Sequence, residues 1–301
     1  MTRLSIAEKY AQPDIVNFWR KFSEQGLQYC EEAMLACYAP PPAHVLDLGC
    51  GSGRAGLALA SSGYTVTGID LVWEMIHAAR DEYQRTFIEL RLVQADMRAI
   101  PCADAQHDVA LVFIAAVQHV EGCEARRHAF VEIARVLRPG GVLILAIDNL
   151  APALTCYAWW AWRKLTSISR PSRRMLDWQP ASADRMLQSR RSGMSALTWH
   201  ARGVARTLRW RTWNGIVDLA RKAHLLRGEA GDTAIDQVSL MTTPGLVYYH
   251  IYRHAELVAD VEAGGFALMG YHSGRELSED QTFTPRVRQL DKQVLYGFRR
   301  L

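Results

Sequence analysis

Hydrophobic and polar positions follow two different rhythms along this chain. Over residues 1–42, apolar side chains such as Ile15 and Phe18 recur at three- and four-residue spacing, which predicts amphipathic helices. The run Pro40–Pro42 cannot continue a helix, so we expect this segment to end there and a short apolar strand to begin at residue 44. Beyond that point, strand-length apolar runs alternate with helical patterns.

Glycine and proline mark the turns between these alternating elements. The predicted strands are 44–48, 64–69, 88–94, 108–114, 142–147, 266–271 and 293–299. The predicted helices are 54–61, 73–85, 122–137 and 253–263. Such alternation is typical of a mostly parallel sheet that is covered by helices on both faces. We therefore predict a doubly wound α/β fold with a seven-stranded sheet.

The composition changes at about residue 150. Residues 151–230 contain fifteen basic and four acidic side chains, a formal charge of +11, whereas the whole chain is only +4. Seven of the nine tryptophans also lie in this stretch. We predict an inserted, mostly helical cap at 150–245. It divides an α/β domain, 43–149 and 246–301, which follows the N-terminal helical segment.

The overall composition is that of an ordinary globular protein, with 49% hydrophobic and 22% charged residues. None of the six cysteines forms a Cys-x-x-Cys pair, which indicates reduced thiols. The charged opening residues do not resemble a secretory leader, and Asp148 interrupts the apolar stretch Val142–Trp162, so we expect a soluble, cytoplasmic protein. His250 and His254 are four residues apart without a nearby third ligand, so we expect no metal site.

The most informative segment is Val45–Arg54, which reads V-L-D-L-G-C-G-S-G-R. A strand that runs into Gly-x-Gly-x-Gly exposes bare backbone at the carboxyl edge of a parallel sheet, where an adenosine-bearing cofactor can lie on the main chain. A dinucleotide would need a small residue in place of Arg54, and Asp47 would repel its two phosphates. A cofactor with a cationic centre and a free amino group fits better, which indicates S-adenosylmethionine.

Four landmarks in this order give the chain a family resemblance. Besides the glycine segment, they are G-I-D-L at 68–71, Q-A-D-M at 94–97 and L-R-P-G-G-V-L-I-L at 137–145. The chain resembles a class I S-adenosylmethionine-dependent methyltransferase over roughly 43–148 and 246–300. The resemblance implies a Rossmann-like methyltransferase fold, S-adenosylmethionine as the cofactor, and transfer of its methyl group.

The resemblance also implies which residues hold the cofactor. Asp70 would accept the ribose hydroxyls, and Leu71 would lie against the adenine. Asp96 would take the adenine amino group, with Met97 packed on the ring. The remaining expected cofactor residues are Asp47, Gly49, Gly51, Gly53 and Phe113. For Asp70 and Asp96 the competing interpretation is a helix cap or a turn at the end of a strand.

The methyl acceptor is expected above the fourth strand. His119 follows that strand and is the best candidate for a general base or an orienting group, although it could simply stabilise a turn. Tyr249 and His250 are further catalytic candidates, because Val247–Leu257 is similar to the stretch that precedes the late helix in many family members. Tyr10 could close over the cofactor or merely pack.

These features favour methyl transfer to oxygen, nitrogen or carbon of a small molecule held beneath the cap. The basic, tryptophan-rich cap leaves two alternatives open: methylation of an RNA such as tRNA, and peripheral contact with a membrane surface. A cofactor-binding protein without catalysis is a third. The three intact carboxylates favour an enzyme, and the lack of a separate RNA-binding module weighs against RNA.

Overall fold

The computed structural model describes residues 4–88, 90–114, 116–148, 229, 232–235, 247–279, 282–285, 288, 291 and 293–301. Most of the cap predicted at 150–245 lies outside these residues. The N-terminal segment forms three helices: α1 (Ile6–Tyr10), α2 (Pro13–Ser23) and α3 (Tyr29–Tyr38). Among the described helices, none is long and apolar enough to cross a membrane.

The remaining elements follow the predicted alternation of strands and helices. They are β1 (His44–Leu48), α4 (Arg54–Ser61), β2 (Thr65–Asp70), α5 (Trp73–Thr86), β3 (Arg91–Gln94), β4 (His107–Val112), a 3-10 turn (Ala116–His119), α6 (Cys123–Val136), β5 (Leu137–Asp148), β6 (Asp232–Ile235), β7 (Val247–His250), α7 (His254–Ala263), β8 (Phe266–Ser273), α8 (Gly274–Glu279) and β9 (Gln293–Arg300).

The main sheet has seven strands in the order β3-β2-β1-β4-β5-β9-β8. Strands β1 to β5 pair in parallel, and β9 runs antiparallel to both β5 and β8. The predicted mostly parallel, seven-stranded sheet is therefore confirmed. Strands β6 and β7 form a separate antiparallel ribbon that sequence reasoning missed, because each strand has only four residues and β6 lies within the predicted cap.

The sheet places several strand ends at one edge. The strand order reverses between β1 and β4, and ligands of open α/β sheets bind in the crevice at such a switch point. Asp47, Asp70 and Asp148 lie at the carboxyl ends of β1, β2 and β5. Helix α2 covers the start of α5 through Ile15, which is fully buried in a cluster with Val72 and Met75.

Candidate functional site

The turn between β1 and α4 contains three glycines, of which two are packed against neighbouring side chains and one faces open space. Gly49 and Gly53 have φ angles of +73° and +88°, and added Cβ atoms would lie 2.6 Å from the Cβ of Ala116 and from the hydroxyl of Tyr83, respectively. Gly51 also has a positive φ, +52°, but a Cβ there would meet nothing within 4 Å. The turn therefore offers bare backbone to a ligand beside Gly51.

Asp47 is a buried carboxylate at the edge of this crevice. Its side chain is 3% exposed, and no described residue donates a hydrogen bond to its Oδ2. Burial raises the pKa of Asp47 to about 7, even though Arg54 nearby lowers it. A buried carboxylate oxygen without a donor costs about 1–3 kcal/mol. A cationic amino group of a bound cofactor would satisfy this oxygen, so Asp47 fits the ligand expected from the sequence.

Arg54 does not point toward the cofactor crevice. Its guanidinium is buried and forms a bidentate pair with Glu31 of α3, with both N–O distances 2.7 Å, and it donates to the carbonyl of Gly26 at 2.8 Å. The sequence-based expectation that Arg54 would crowd a pyrophosphate therefore does not describe this side chain. The remaining feature that disfavours a dinucleotide is the carboxylate of Asp47, which would repel the two phosphates.

Asp70 fastens the glycine turn to the end of β2. Its Oδ2 accepts a hydrogen bond from the amide of Gly51 at 2.8 Å, and its Oδ1 accepts one from the amide of Val72 at 2.9 Å. Desolvation raises the pKa of Asp70, although these backbone donors lower it. Each carboxylate oxygen retains acceptor capacity for a hydroxyl group. The neighbouring Leu71 is 42% exposed, as an adenine-contacting side chain would require.

Asp96 lies two residues beyond β3 and is held by a neighbour. Arg98 grips both carboxylate oxygens, from Nε at 3.0 Å and from Nη2 at 2.6 Å, and this hydrogen bonding lowers the pKa of Asp96. Met97 is partly buried against the sheet core, and Phe113 is almost fully buried in the cluster beneath α3. The side chain of Asp96 is 27% exposed, whereas Phe113 is packed in the core.

His119 is oriented by a backbone carbonyl. Its Nδ1 lies 2.9 Å from the carbonyl oxygen of Tyr248, and its Nε2 lies 3.4 Å from the hydroxyl of Tyr10. Because a carbonyl only accepts, Nδ1 carries the proton in the neutral ring and Nε2 carries the lone pair. The ring also packs edge-on against Tyr249, with centroids 5.1 Å apart. His119 and Tyr249 are therefore brought together.

Two tyrosine hydroxyls accompany this imidazole. Tyr249 is fully buried, and its hydroxyl has no hydrogen-bond partner among the described residues. Burial, Asp148 and Tyr10 raise the pKa of Tyr249 well above its ordinary value. Burial also raises the pKa of Tyr10, and the charges of Asp70 and Asp148 add to that effect. Both side chains therefore stay neutral hydroxyls that can donate a hydrogen bond.

His250 occupies a different environment from Tyr249. The ring is fully buried, with Nδ1 2.8 Å from Oδ1 of Asp232 and Nε2 2.8 Å from Oε1 of Glu256. Burial lowers the pKa of His250, but the two carboxylates raise it by more than burial lowers it. The pKa of His250 is therefore above its ordinary value. Successive residues of a strand point to opposite faces. The structure therefore places His250 on the face of β7 away from Tyr249.

Asp232 and Glu229 complete a group that sequence reasoning missed, because both were assigned to the cap. One ligand-type atom each of Glu229, Asp232 and His250 lies within 4.8 Å of the others. Glu229 is paired with Arg126 at 2.6 Å, and both nitrogens of His250 face carboxylates. Protein cations thus already neutralise these carboxylates, so the group is an ion-pair network.

Gln118, the residue before His119, has a structural role that the sequence did not indicate. It is fully buried and joins the end of β5 to the end of β7. Its Oε1 accepts from the amide of Asp148 at 2.8 Å, and its Nε2 donates to the carbonyls of Asp148 and His250 at 3.1 and 2.9 Å. The only signal in the sequence was its position beside His119.

Comparisons with known proteins agree with this geometry. A solved S-adenosylmethionine-dependent methyltransferase from Methanosarcina mazei shares the fold, with a TM-score of 0.54 and 18% identity over 89% of this chain and 97% of its own. Residues 45–141, which run from β1 into β5, match the methyltransferase domain family. This segment therefore agrees with the class I S-adenosylmethionine-dependent methyltransferase resemblance found in the sequence. The methyltransferase domain thus includes Asp47, Asp70 and Asp96.

Two relatives are similar to this protein over about a third of the chain. A malonyl-[acyl-carrier protein] O-methyltransferase from Enterobacter lignolyticus is 40% identical over 111 residues, which cover 36% of this chain and 41% of the relative. A 27-O-demethylrifamycin SV methyltransferase from Amycolatopsis mediterranei is 33% identical over 112 residues, which cover 36% of this chain and 40% of the relative. The chain therefore spans less than half the length of these relatives.

Proposed function

We propose that this protein transfers the methyl group of S-adenosylmethionine to oxygen, nitrogen or carbon of a small-molecule acceptor, with oxygen favoured. The observation that carries the proposal is the buried carboxylate of Asp47, whose Oδ2 lacks a donor among the described residues. It lies at the end of β1 beside Gly51, where the backbone is open. A ligand with a cationic amino group could donate to this oxygen and occupy the open space beside Gly51.

The cofactor residues follow from the strand ends. The glycine turn and Asp47 would hold the amino-acid end of S-adenosylmethionine, Asp70 the ribose, and Leu71 with Met97 the adenine. Asp96 would reach the adenine amino group with the acceptor capacity that Arg98 leaves to its carboxylate. When bound, the cofactor supplies an already activated methyl group on a sulfonium centre. The protein then has to align the acceptor, exclude water and manage one proton.

His119 is our candidate for the proton acceptor. The Tyr248 carbonyl fixes the proton on Nδ1, so Nε2 can take a proton from an acceptor hydroxyl or amine as the methyl group is transferred. The hydroxyl of Tyr249, buried beside this ring, would donate a hydrogen bond to the acceptor. Tyr10 from α1 would cover the same position and help exclude water.

The cap is proposed to complete the acceptor site. At one end of residues 149–228, Gln118 holds the backbone of Asp148. At the other end, Glu229 accepts from the amide of Cys123 at 2.6 Å and pairs with Arg126. Both ends are thus anchored within a few residues of His119, which supports a cap over the acceptor.

The names of the relatives support an oxygen nucleophile as the acceptor. One is named a malonyl-[acyl-carrier protein] O-methyltransferase, and the other is named a methyltransferase of 27-O-demethylrifamycin SV. RNA and a membrane surface were suggested only by the basic cap, which lies largely outside the described residues. The name of neither relative points to RNA or to a membrane, so we do not propose them.

A labelling experiment tests the proposed function. Protein would be incubated with methyl-labelled S-adenosylmethionine and a panel of carboxylic acids, phenols and alcohols, and methylated products would be identified by mass spectrometry. We expect transfer to at least one class, and His119→Ala should lower kcat by about 10²–10⁴-fold while leaving the affinity for S-adenosylhomocysteine nearly unchanged.

A matched control is His107→Gln, because His107 is buried at the start of β4, the opposite end from the site. It should keep the wild-type kcat. Absence of labelled product from the panel and from cell extracts would contradict the proposed function.

A further inference from the structure

We propose that His250 is a charged positioning residue. Held as an imidazolium between Asp232 and Glu256, it fixes strand β7 so that the Tyr248 carbonyl and the Tyr249 hydroxyl stand correctly against His119. The inference rests on the proposed function, since His119 and Tyr249 gain their importance from methyl transfer. It replaces the expectation that His250 itself faces the acceptor.

The ion-pair network on the outer face of β7 is densely connected. Asp232 of β6 lies directly opposite His250 of β7 in the antiparallel ribbon, so the two side chains share one face. Tyr248, two residues earlier on the same face, donates its hydroxyl to Oδ1 of Asp232 at 2.5 Å. The same hydroxyl accepts from Arg126 at 2.9 Å. Arg126 and His250 are fully buried, so these two side chains cannot exchange their partners for water without opening the ribbon.

The other face of β7 belongs to the candidate acceptor site. Tyr249 projects there between the two network residues, and its ring contacts His119. The carbonyl of Tyr248 accepts from His119, and the carbonyl of His250 accepts from Gln118 at 2.9 Å. A displacement of β7 would therefore weaken the hydrogen bond that orients His119 and would move the Tyr249 hydroxyl.

The contacts of His250 require both ring nitrogens to donate. Ionised carboxylates only accept, so hydrogen bonds at 2.8 Å on both sides need a proton on Nδ1 and another on Nε2. In a neutral ring, one nitrogen lone pair would face a carboxylate at that distance. The repulsion would push Asp232 or Glu256 away and loosen the ribbon.

The charges around His250 come from every element packed against it. Asp232 on β6 and Glu256 on α7 favour its charged form, whereas Arg126 on α6 disfavours it. Tyr252 packs edge-on against the ring with centroids 4.7 Å apart, and Glu229 balances Arg126. The net direction raises the pKa of His250 above its ordinary value. The interaction is therefore complete below the ordinary pKa of the imidazole and is lost as the pH rises through the pKa in the folded state.

The first test is the pH dependence of kcat for the wild type, Glu256→Gln and His250→Gln. The amide of Glu256→Gln keeps a hydrogen bond to His250 and the helix-start position but removes one charge, so the alkaline fall in kcat should move down by about one pH unit. Above the alkaline fall of both proteins this variant should be about tenfold slower than the wild type, and below it the two should have similar kcat. His250→Gln should lower kcat at every pH and lose the alkaline fall.

A matched control is His254→Gln, since His254 lies four residues on and packs against Tyr271 and Tyr296 away from the site. It should keep the wild-type pH profile. At any one pH, the affinity for S-adenosylhomocysteine should be the same in all four proteins. If His250→Gln fails to fold, Glu256→Gln decides the question, because it keeps the hydrogen bond to the imidazole. An unmoved alkaline fall in Glu256→Gln would overturn the inference.

Nitrogen NMR of the histidine rings separates this inference from the proposed function. In the wild type at pH 7, His250 should show two protonated nitrogens and His119 a protonated Nδ1, whether or not an acceptor is known. Deprotonation of His250 should shift the His119 ring signals in the same pH range. A neutral His250 at pH 7, or a His119 signal that ignores it, would overturn the positioning role even if methyl transfer is confirmed.

Discussion

Arg54 and Glu31 form a bidentate ion pair in the protein interior, with 7% and 0% of their side chains exposed and both N–O distances 2.7 Å. Arg54 is the first residue of α4 after the glycine turn, and Glu31 lies in the first turn of α3. The pair therefore joins the N-terminal helices to the cofactor crevice. The positive charge of Arg54 also lowers the pKa of Asp47.

Breaking this pair should destabilise the protein strongly. Glu31→Met leaves the guanidinium buried without its carboxylate, a change that costs about 3–5 kcal/mol in the free energy of unfolding. The double variant Glu31→Met with Arg54→Met removes both charges and should recover most of that loss. Urea unfolding measures both. The ion pair between Arg135 and Asp104 is the control, because Asp104 is 76% exposed. Asp104→Asn should lower the free energy of unfolding by less than about 1 kcal/mol.

Asp47 should make cofactor affinity depend on pH. Its pKa of about 7 means that most carboxyls are protonated at pH 6 and ionised at pH 8. Because the ionised form meets the cationic amino group, the affinity for S-adenosylhomocysteine should be about tenfold weaker at pH 6 than at pH 8. Calorimetry at the two pH values checks this, and Asp47→Asn should bind weakly at both. Equal wild-type affinities would contradict the assignment.

The same carboxylate should reduce the stability of the cofactor-free protein at neutral pH. A raised carboxyl pKa means that the folded state holds its proton more tightly than the unfolded state, so stability falls as the pH rises from about 4 to about 7. Above pH 7 the full cost remains, up to about 4 kcal/mol for a shift of roughly three units. Asp47→Asn should therefore unfold at higher urea than the wild type at pH 8. A less stable Asn variant would show that Asp47 has a structural partner.

Two glycines of the turn should respond differently to alanine. Gly49→Ala places a methyl group 2.6 Å from Ala116 Cβ, so we expect a loss of stability of about 2–4 kcal/mol. Gly51→Ala meets only open space and should cost about 1–2 kcal/mol from its positive φ. The methyl group added by Gly51→Ala would instead enter the cofactor space. Calorimetry should therefore show lost binding in a folded protein, and retained affinity would place the cofactor elsewhere.

Variants of Asp96 and Arg98 can show whether Asp96 binds the cofactor or only forms an ion pair with Arg98. If Asp96 reaches the adenine amino group, Asp96→Ala should weaken S-adenosylhomocysteine binding by about tenfold, the value of one good hydrogen bond to a charged acceptor. Arg98→Met keeps the carboxylate and should weaken it by less than about threefold, because the adenine contact remains. The two variants should have similar thermal midpoints, because Arg98 is half-exposed. Equal losses of affinity would show that the pair acts as a unit.

Local signals in the sequence predicted most of the fold. The apolar run was enough to predict the strand that ends at Asp70, and the helical pattern was enough to predict α6. The glycine turn could also be predicted from the sequence, because the positive φ angles at Gly49 and Gly53 favour glycine at those positions. The β6–β7 ribbon was missed because its short strands carry no local signature of their pairing.

The sequence alone determined the order of strands and helices, the glycine turn and the carboxylates at the strand ends, since periodicity and turn chemistry are properties of neighbouring residues. Only the tertiary structure decided that Arg54 turns toward Glu31, that His119 meets Tyr249, and that His250 faces Asp232. Alternation along β7 predicts that Tyr249 and His250 point to opposite faces. Which face holds the site depends on packing between residues more than a hundred positions apart, and no local pattern records that.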